Sequence, residues 1–178
     1  MKAGMLLIVA TMAATLFPMA DHAASSDQTL SEADAASINK TVESIRKAIV
    51  SGKVSAVLEY ISRSHGLSCT DTEYSYVEAA EMLEDQRSPF YQGLFDSAGF
   101  RKECGDGYPA DYPAISEKEF YASASHEAQI ELLDQNWVKI TIRSPVRSRY
   151  ERWLYLHREG SAWKVAGGSF IIGNCTCG

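Results

Sequence analysis

Side chains that could carry acid–base chemistry are few in this sequence, and the best pair lies in one predicted strand. By strand alternation, His157 shares a face with Tyr155. A histidine titrates near neutral pH, so this pair could act as an acid and a base. Asp96 or Asp111 would then supply the orienting carboxylate. No spacing in the sequence identifies that carboxylate, so we favour a hydrogen-bonded, structural role for His157.

A second candidate site is a run of basic residues in the same half of the chain. Between Lys139 and Arg158 there are six Lys or Arg residues against Glu151 alone, a local charge of +5. Such a hairpin could bind an acidic protein, a polyanionic glycan or a lipid headgroup. The other interpretation is a solvated strand pair whose charges discourage edge-to-edge association. The candidate binding residues are Lys139, Arg143, Arg147, Arg149 and Arg152.

Composition limits the function classes. The chain has 178 residues, 46% of them apolar, and a net charge of -6. These values are typical of one globular domain. The sequence pI of about 5.2 argues against a general nucleic-acid binder, which needs a surplus of Lys and Arg. No Gly-x-Ser-x-Gly, His-Glu-x-x-His, phosphate-binding glycine loop or EF-hand loop is present.

The first 24 residues have the pattern of a secretory signal peptide. Lys2 supplies the positive charge, and a 13-residue run from Met5 to Phe17 is apolar apart from two threonines. A bilayer span needs roughly 20 apolar residues, so this run is too short. Small residues at the end of the segment allow cleavage after Ala24 or after Ala20. We therefore expect residues 25–178 to form one domain that is periplasmic or secreted.

The cysteines suit an oxidising compartment. Cys69, Cys104, Cys175 and Cys177 are even in number and follow the predicted signal peptide, which favours disulfides. A bond within the Cys-x-Cys pair would be strained, because a disulfide needs a Cα separation of roughly 5.5 Å. We therefore expect one C-terminal cysteine to bond Cys69 and the other to bond Cys104. The alternatives are a four-cysteine zinc site and a redox Cys-x-Cys centre. The Cys-x-x-Cys pairs of a zinc ribbon are missing, so no metal is expected.

Helices are predicted first along the chain. Ser31 can cap a helix that Gly52 ends, and a shorter helix follows. A third helix is predicted after Thr70 or Asp71, and Ser88-Pro89 should start a fourth. The segment 99–113 is rich in Gly and Pro and is predicted to be a loop. The apolar face of the first helix consists of Ile38, Val42, Ile45 and Ile49.

Strands follow the helices. Five runs have β-branched and aromatic residues with alternating polarity, and turns at 134–136 and 159–161 separate four of them into hairpins. This order predicts an α+β domain, with N-terminal helices packed on a curved, mainly antiparallel C-terminal sheet. The predicted strands are Phe120–Ser125, Ala128–Leu133, Trp137–Ile142, Arg152–His157 and Trp163–Ile172. The side chains predicted to face the helices are Val138, Ile140, Ile142, Leu154, Leu156 and Val165.

Two stretches resemble a known family. Ile45 to Ile61, a helix that runs through Ser-Gly-Lys into a second apolar helix, is similar to the opening of NTF2-like (cystatin-like α+β roll) domains. The segment Trp153-Leu-Tyr-Leu-His, a turn, and Trp163-Lys-Val-Ala-Gly-Gly-Ser-Phe resembles their final hairpin. The resemblance implies a cone-shaped sheet around a helix with a pocket at its mouth. It implies no single activity, because that scaffold carries isomerases, dehydratases and non-enzymatic binding modules.

Two classes of function remain open. The first is a small exported binding protein of the immunity, inhibitor or envelope-accessory type, whose partner is another protein or an anionic envelope component. The second is a small-molecule acid–base enzyme, such as an isomerase, dehydratase or hydrolase, with a pocket in the roll. We favour the binding protein because the predicted inward positions are apolar, which turns His157 outward. No cofactor is expected in either case.

Overall fold

The first helix begins and ends where the sequence predicts. In this computed structural model, which describes residues 29–69, 72–104, 115–122, 127–143 and 151–168, the Ser31 hydroxyl accepts a hydrogen bond from the backbone N–H of Asp34. Gly52 ends the helix with a φ of 71°, a left-handed conformation that glycine adopts without steric cost. The helices are α1 (Glu32–Ser51), α2 (Val54–Leu58), α3 (Tyr76–Glu84), α4 (Pro89–Phe95), α5 (Ser97–Cys104) and α6 (Glu117–Ala122).

The six strands form one sheet, in the order β2-β1-β6-β5-β4-β3. All neighbouring pairs are antiparallel except β1 with β6, which is parallel. This arrangement confirms the predicted α+β class and is consistent with an NTF2-like roll. The strands are β1 (Leu67–Cys69), β2 (Thr72–Tyr74), β3 (Glu127–Leu132), β4 (Trp137–Arg143), β5 (Glu151–Glu159) and β6 (Ala162–Gly168).

The helices cover one face of the sheet, which we call the inner face; the other is the open face. Ile38, Ile45 and Ile49 of α1 are buried in one apolar cluster with the inward side chains of β4, β5 and β6. All six side chains predicted to point inward are buried there. Their burial confirms the strand register on which the prediction rested. The apolar area removed from water contributes about 25 cal/mol per Å², so this cluster is the main source of stability.

Two predictions about the third helix are wrong. The chain after Gly66 forms the short hairpin of β1 and β2, and α3 starts only at Tyr76. Ser75, and neither Thr70 nor Asp71, caps this helix, through a reciprocal pair of hydrogen bonds with Glu78. The sequence Ser-x-x-Glu was available as a signal for this boundary. Three-residue strands, in contrast, are too short to show alternation.

Two further predictions fail between α4 and β3. Ser97–Cys104 is the helix α5, although the sequence from Gly99 was predicted to be a loop. Phe120 and Tyr121 were assigned to a strand but lie in α6, where both are buried. Aromatic residues favour strands only when a neighbouring strand is available, and here burial against α1 decides the conformation. The Arg46 guanidinium of α1 donates to the backbone carbonyl of Tyr121 at 3.3 Å, which ties the two helices together.

Several expectations fall outside the described residues. They include the signal peptide, Cys175 and Cys177, and the side chains of Cys69 and Cys104. The predicted extension of the last strand to Ile172 also lies outside them. Among the helices that the structure describes, none combines the length and the apolar character needed to cross a membrane.

Trp163 connects the last strand to the first helix. Its ring is 3% exposed and belongs to the inner core. The Arg158 guanidinium lies 4.6 Å from the ring centroid, and the same guanidinium forms an ion pair with Asp34 of α1. The Trp163 indole therefore packs against the Arg158 guanidinium, which also forms an ion pair at the start of α1.

We expect Trp163→Ala to lower the free energy of unfolding by about 3–5 kcal/mol, because a large aromatic side chain leaves a cavity when it is truncated in a core. Trp153→Ala is the matched control, since Trp153 is 38% exposed on the open face and should cost less. Urea denaturation followed by circular dichroism measures both values. Equal losses for the two variants would contradict the register described here.

Candidate functional site

Several polar and aromatic side chains of the sheet lie on the open face, where one carboxylate positions the neighbouring loop. Glu159, at the end of β5, accepts hydrogen bonds from the hydroxyls of Ser62 and Ser64, both at 2.6 Å. It also accepts the backbone N–H of Ser64 at 3.1 Å. These hydrogen bonds outweigh the effect of burial and lower the pKa of Glu159 to about 2, so it is ionised at neutral pH. The loop from Ser62 to Gly66 is thereby held against the sheet.

Holding this loop brings His65 onto the open face, beside two rings of the sheet. The His65 and His157 ring centroids are 4.1 Å apart in an edge-to-face arrangement. The Trp137 ring lies 4.7 Å from His157 and 5.0 Å from His65. We call these three side chains the ring cluster. It is formed by a loop and two strands, because Trp137 of β4 is the register partner of His157 of β5.

The chemistry available to His157 follows from its surroundings. Burial, and secondly the neighbouring His65, lower the pKa of His157, against the opposing effects of Glu159 and Asp134. Its Nδ1 is buried and has no hydrogen-bond partner among the described residues. A catalytic histidine needs a group that fixes its tautomer and orientation. In the described part of the chain His157 is oriented by ring contacts. Ring contacts supply no hydrogen-bond acceptor that would fix its tautomer.

A groove continues from the ring cluster across the sheet. Tyr155, Gly167, Ser68 and Glu73 are consecutive register partners on β5, β6, β1 and β2, so they form a row on the open face. Together with His65, Trp137 and Ala166 they line a groove of about 280 Å³. On the other side of Trp137 a second groove of about 420 Å³ is lined by residues 134–137 and His157.

Gly167 makes this groove possible. A Cβ atom on Gly167 would lie 2.9 Å from the backbone oxygen of Ser68, a separation that real Cβ atoms do not show. Glycine therefore allows β1 to pair with β6 in this geometry. Because Gly167 has no side chain, it also leaves a low floor between Tyr155 and Ser68. One residue thus decides both the pairing of the strands and the shape of the groove.

The structure brings together two of the three predicted catalytic candidates. His157 and Tyr155 share the open face, as strand alternation predicted, and His157 is turned away from the core. Asp96 lies elsewhere, between α4 and α5, where its side chain accepts the backbone N–H of Ala98 at 3.0 Å. It caps a helix and does not orient His157. Asp111 lies outside the described residues.

His65 is a member of the site that sequence reasoning missed. A histidine directly before a glycine is typical of a helix C-terminus, but α2 ends at Leu58 and His65 lies in the loop held by Glu159. The contact between His65 and His157 joins residues 92 positions apart in the sequence. The Ser-x-Ser-His order was the available signal, but only the folded chain shows that the serines bind Glu159.

The basic residues do not form one continuous exposed surface. Lys139 lies 3.9 Å from Glu131, and Arg143 forms an ion pair with Glu151 at 2.6 Å. Arg152 points to the inner face and is 6% exposed, so its assignment to an exposed binding surface is wrong. Strand alternation explains this result, because Arg152 is the register partner of the buried Ile142. Arg147 and Arg149 lie outside the described residues.

Arg152 instead forms a buried ion pair. Its Nε donates to Glu117 of α6 at 2.7 Å, and its guanidinium lies 4.8 Å from the centroid of the Phe120 ring. Burial raises the pKa of Glu117 to about 7, although Arg152 acts in the opposite direction. The same burial, with the charge of Glu117 as a smaller cause, raises the pKa of Tyr121. Glu117 lines neither groove of the open face.

The described residues hold no group of three or more His, Cys, Asp or Glu side chains arranged to bind a metal ion. The two imidazoles of the ring cluster meet edge to face and do not converge on a common point. No protein-family model matches the chain, and no curated protein matches it. The fold alone therefore defines its class, an α+β domain consistent with an NTF2-like roll whose open sheet face carries the ring cluster and the groove.

The lowered pKa of His157 predicts a pH-dependent contribution to stability. Because this pKa lies below 6.5 in the folded protein, the unfolded chain binds more protons as the pH falls through this region. The contribution of His157 to stability is therefore fully present above its pKa in the unfolded chain, and it is lost as the pH falls through its lower pKa in the folded protein. We expect the difference in unfolding free energy between the wild type and His157→Asn to shrink between about pH 7.5 and about pH 5. Urea titrations across this range measure it, and a constant difference would contradict the lowered pKa.

The buried ion pair predicts a different pattern. Glu117→Ala should cost about 3–5 kcal/mol, because it leaves the Arg152 charge buried without this carboxylate. The double variant Glu117→Leu with Arg152→Met removes both charges and should recover most of that loss. Truncating Glu151, whose pair with Arg143 is exposed, should cost about 0–1 kcal/mol in the same denaturation assay. A double variant no more stable than Glu117→Ala would show that the two residues do not act as a pair.

Proposed function

We propose that this protein is an exported binding protein without catalytic activity, and that it engages its partner through the open face of its sheet. The observation that carries the proposal is the contrast between the two faces. The inner face of β4, β5 and β6 carries mainly apolar side chains that pack on α1, whereas the ring cluster and the groove lie on the open face. In the described part of the chain, apolar packing on the inner face and grooves on the outer face suit binding better than turnover.

The state of His157 supports the same proposal. An acid–base enzyme needs a titratable side chain with an orienting partner in a cavity that admits a substrate. Asp96 caps a helix, and the Glu159 carboxylate is occupied by Ser62 and Ser64. Neither carboxylate is placed to orient the imidazole, so His157 fits a contact surface.

The proposed partner is another protein or an anionic component of the envelope, bound at the end of the β4–β5 hairpin. Arg143 and Glu151 are register partners at this end, and the connection between them contains Arg147 and Arg149. Lys139 lies on the same face but close to Glu131. The contribution of Arg143 is reduced by its ion pair with Glu151, so the two arginines of the connection should dominate the attraction. Electrostatic attraction of this kind weakens with salt, since exposed charges are screened over about 8–10 Å.

One observation favours an enzyme as the second candidate. A buried carboxylic acid with a pKa of about 7, such as Glu117 beside Arg152, is the kind of group that enzymes use for proton transfer. Tyr121 of the same helix is buried nearby. In this alternative the reaction would take place on the inner side of the sheet, at Glu117 in place of His157.

The experiment compares two charge-reversed proteins. Arg147→Glu with Arg149→Glu is tested against Lys40→Glu with Lys53→Glu, which changes the net charge equally at two exposed positions outside the sheet. Retention on immobilised heparin and on anionic vesicles, and capture of an acidic envelope protein, are measured at low and high salt. We expect the first variant to lose about tenfold or more in affinity at low salt, and the control to keep most of it.

Equal behaviour of the two variants would overturn the proposed use of the hairpin. The enzyme alternative has its own test, because it requires that Glu117→Gln abolishes a turnover that His157→Asn leaves intact. Detecting such a turnover would replace the binding proposal.

A further inference from the structure

We propose that the groove between Glu73 and Tyr155 is a second binding site, specific for a small alkylated ammonium ion. This ligand is a cation, so the site is distinct from the proposed contact of the β4–β5 hairpin with an anionic partner. It uses no residue of the hairpin connection, so the two proposals are tested separately.

The first argument is the composition of the groove. Trp137 and Tyr155 line it on one side and Glu73 on the other, with Ala166 and Gly167 between them. Aromatic faces attract cations through their quadrupole, and alkylated ammonium ions are recognised in this way. A carboxylate opposite the rings supplies the compensating charge. A hydrogen-bond acceptor for every N–H would be needed to hold a bare ammonium, and the groove offers few.

The second argument is that the Glu73 carboxylate is available. Throughout the described part of the chain, Glu73 takes part in no side-chain hydrogen bond or ion pair, although its strand is paired on one side with β1. Its side chain is exposed and lines the groove. A ligand cation at this position would therefore not have to displace a basic side chain of the described chain.

The third argument is that the neighbouring lysine and arginine side chains are directed elsewhere. Lys139, the register partner of Tyr155, points towards Glu131 with its Nζ 3.9 Å from the carboxylate. The Nζ of Lys164 donates to the backbone carbonyl of Glu59 at 2.6 Å. Arg63 lies 5.3 Å from the centroid of the Tyr76 ring. None of these three cations is directed at Glu73, so the groove keeps its preference for positive ligands.

The dimensions fit a small ligand. Glu73 and Tyr155 lie three strand spacings apart, a backbone separation of about 14 Å that their side chains shorten from both sides. The volume of about 280 Å³ is near the lower end of the range for small-molecule sites. The net charge of -6 also raises the local concentration of cations around the protein. The structure therefore selects a compact cation with an apolar shell over an extended or anionic molecule.

The test uses choline and its uncharged isostere dimethylbutanol, in which carbon replaces the nitrogen. Each is titrated into the protein, with the indole N–H resonance of Trp137, assigned through Trp137→Phe, as the reporter. We expect choline to shift this resonance saturably and to bind about five- to tenfold more tightly than the isostere, because only the cation gains from the rings and the carboxylate.

Two variants locate the site. Glu73→Gln should weaken choline binding about two- to fivefold and leave isostere binding unchanged, since an exposed carboxylate contributes modestly. Glu81→Gln is the matched control, because it makes the same charge change at an exposed position on α3, away from the groove. Tyr155→Leu should weaken the binding of choline more than it weakens the binding of the isostere.

Three results would overturn the proposal. They are equal affinities for choline and the isostere, a Trp137 resonance that does not respond to choline, and equal effects of Glu73→Gln and Glu81→Gln. Because Glu73 is exposed, its substitution should not disturb folding, and a circular dichroism spectrum checks this. Failure here leaves the hairpin experiment unaffected, since that experiment uses other residues and an anionic ligand.

Discussion

Filling of the inner face is the constraint on which the rest of the structure depends. Ile38, Ile45 and Ile49 of α1 pack on the inward side chains of three central strands, and this burial is the largest favourable contribution that the chain has. Because successive strand residues alternate between faces, burying one set requires the other set to be on the open face. The ring cluster and the groove lie where they do as a consequence of this core.

Single residues then shape the surface that the core leaves exposed. The Glu159 carboxylate binds Ser62 and Ser64 and so holds the loop that carries His65 over His157. Gly167 allows β1 to join the sheet and lowers the floor of the groove. The surface is thus organised by a loop and the strands β1 and β2 beside the β4–β5 hairpin, which is typical of sites built on a rigid scaffold.

Strand alternation also divides the basic side chains of the sheet between its two faces. The basic run between Lys139 and Arg158 reads as one patch along the sequence, but alternation divides it between the two sides of the sheet. Arg152 enters the core and is neutralised by Glu117, and Arg158 holds α1 through Asp34 and Trp163. Lys139 and Arg143 remain on the open face beside acidic residues. A count of charges along a strand therefore overstates the charge of either face by about a factor of two.

The sequence by itself determined those features of the fold that depend on short-range patterns. The caps of α1 and α4, the four strands from β3 to β6 and the six inward side chains could be predicted, because each follows from periodicity or from a local hydrogen bond. That His157 and Tyr155 share the outward face of one strand could be predicted for the same reason. Tertiary structure alone decided the hairpin of β1 and β2, the helical state of Phe120 and Tyr121, the pairing of Arg152 with Glu117 and the contact of His65 with His157. The last two of these features join residues far apart in the chain, and the first two are selected by the pairing of β1 with β6 and by burial, which no local pattern specifies.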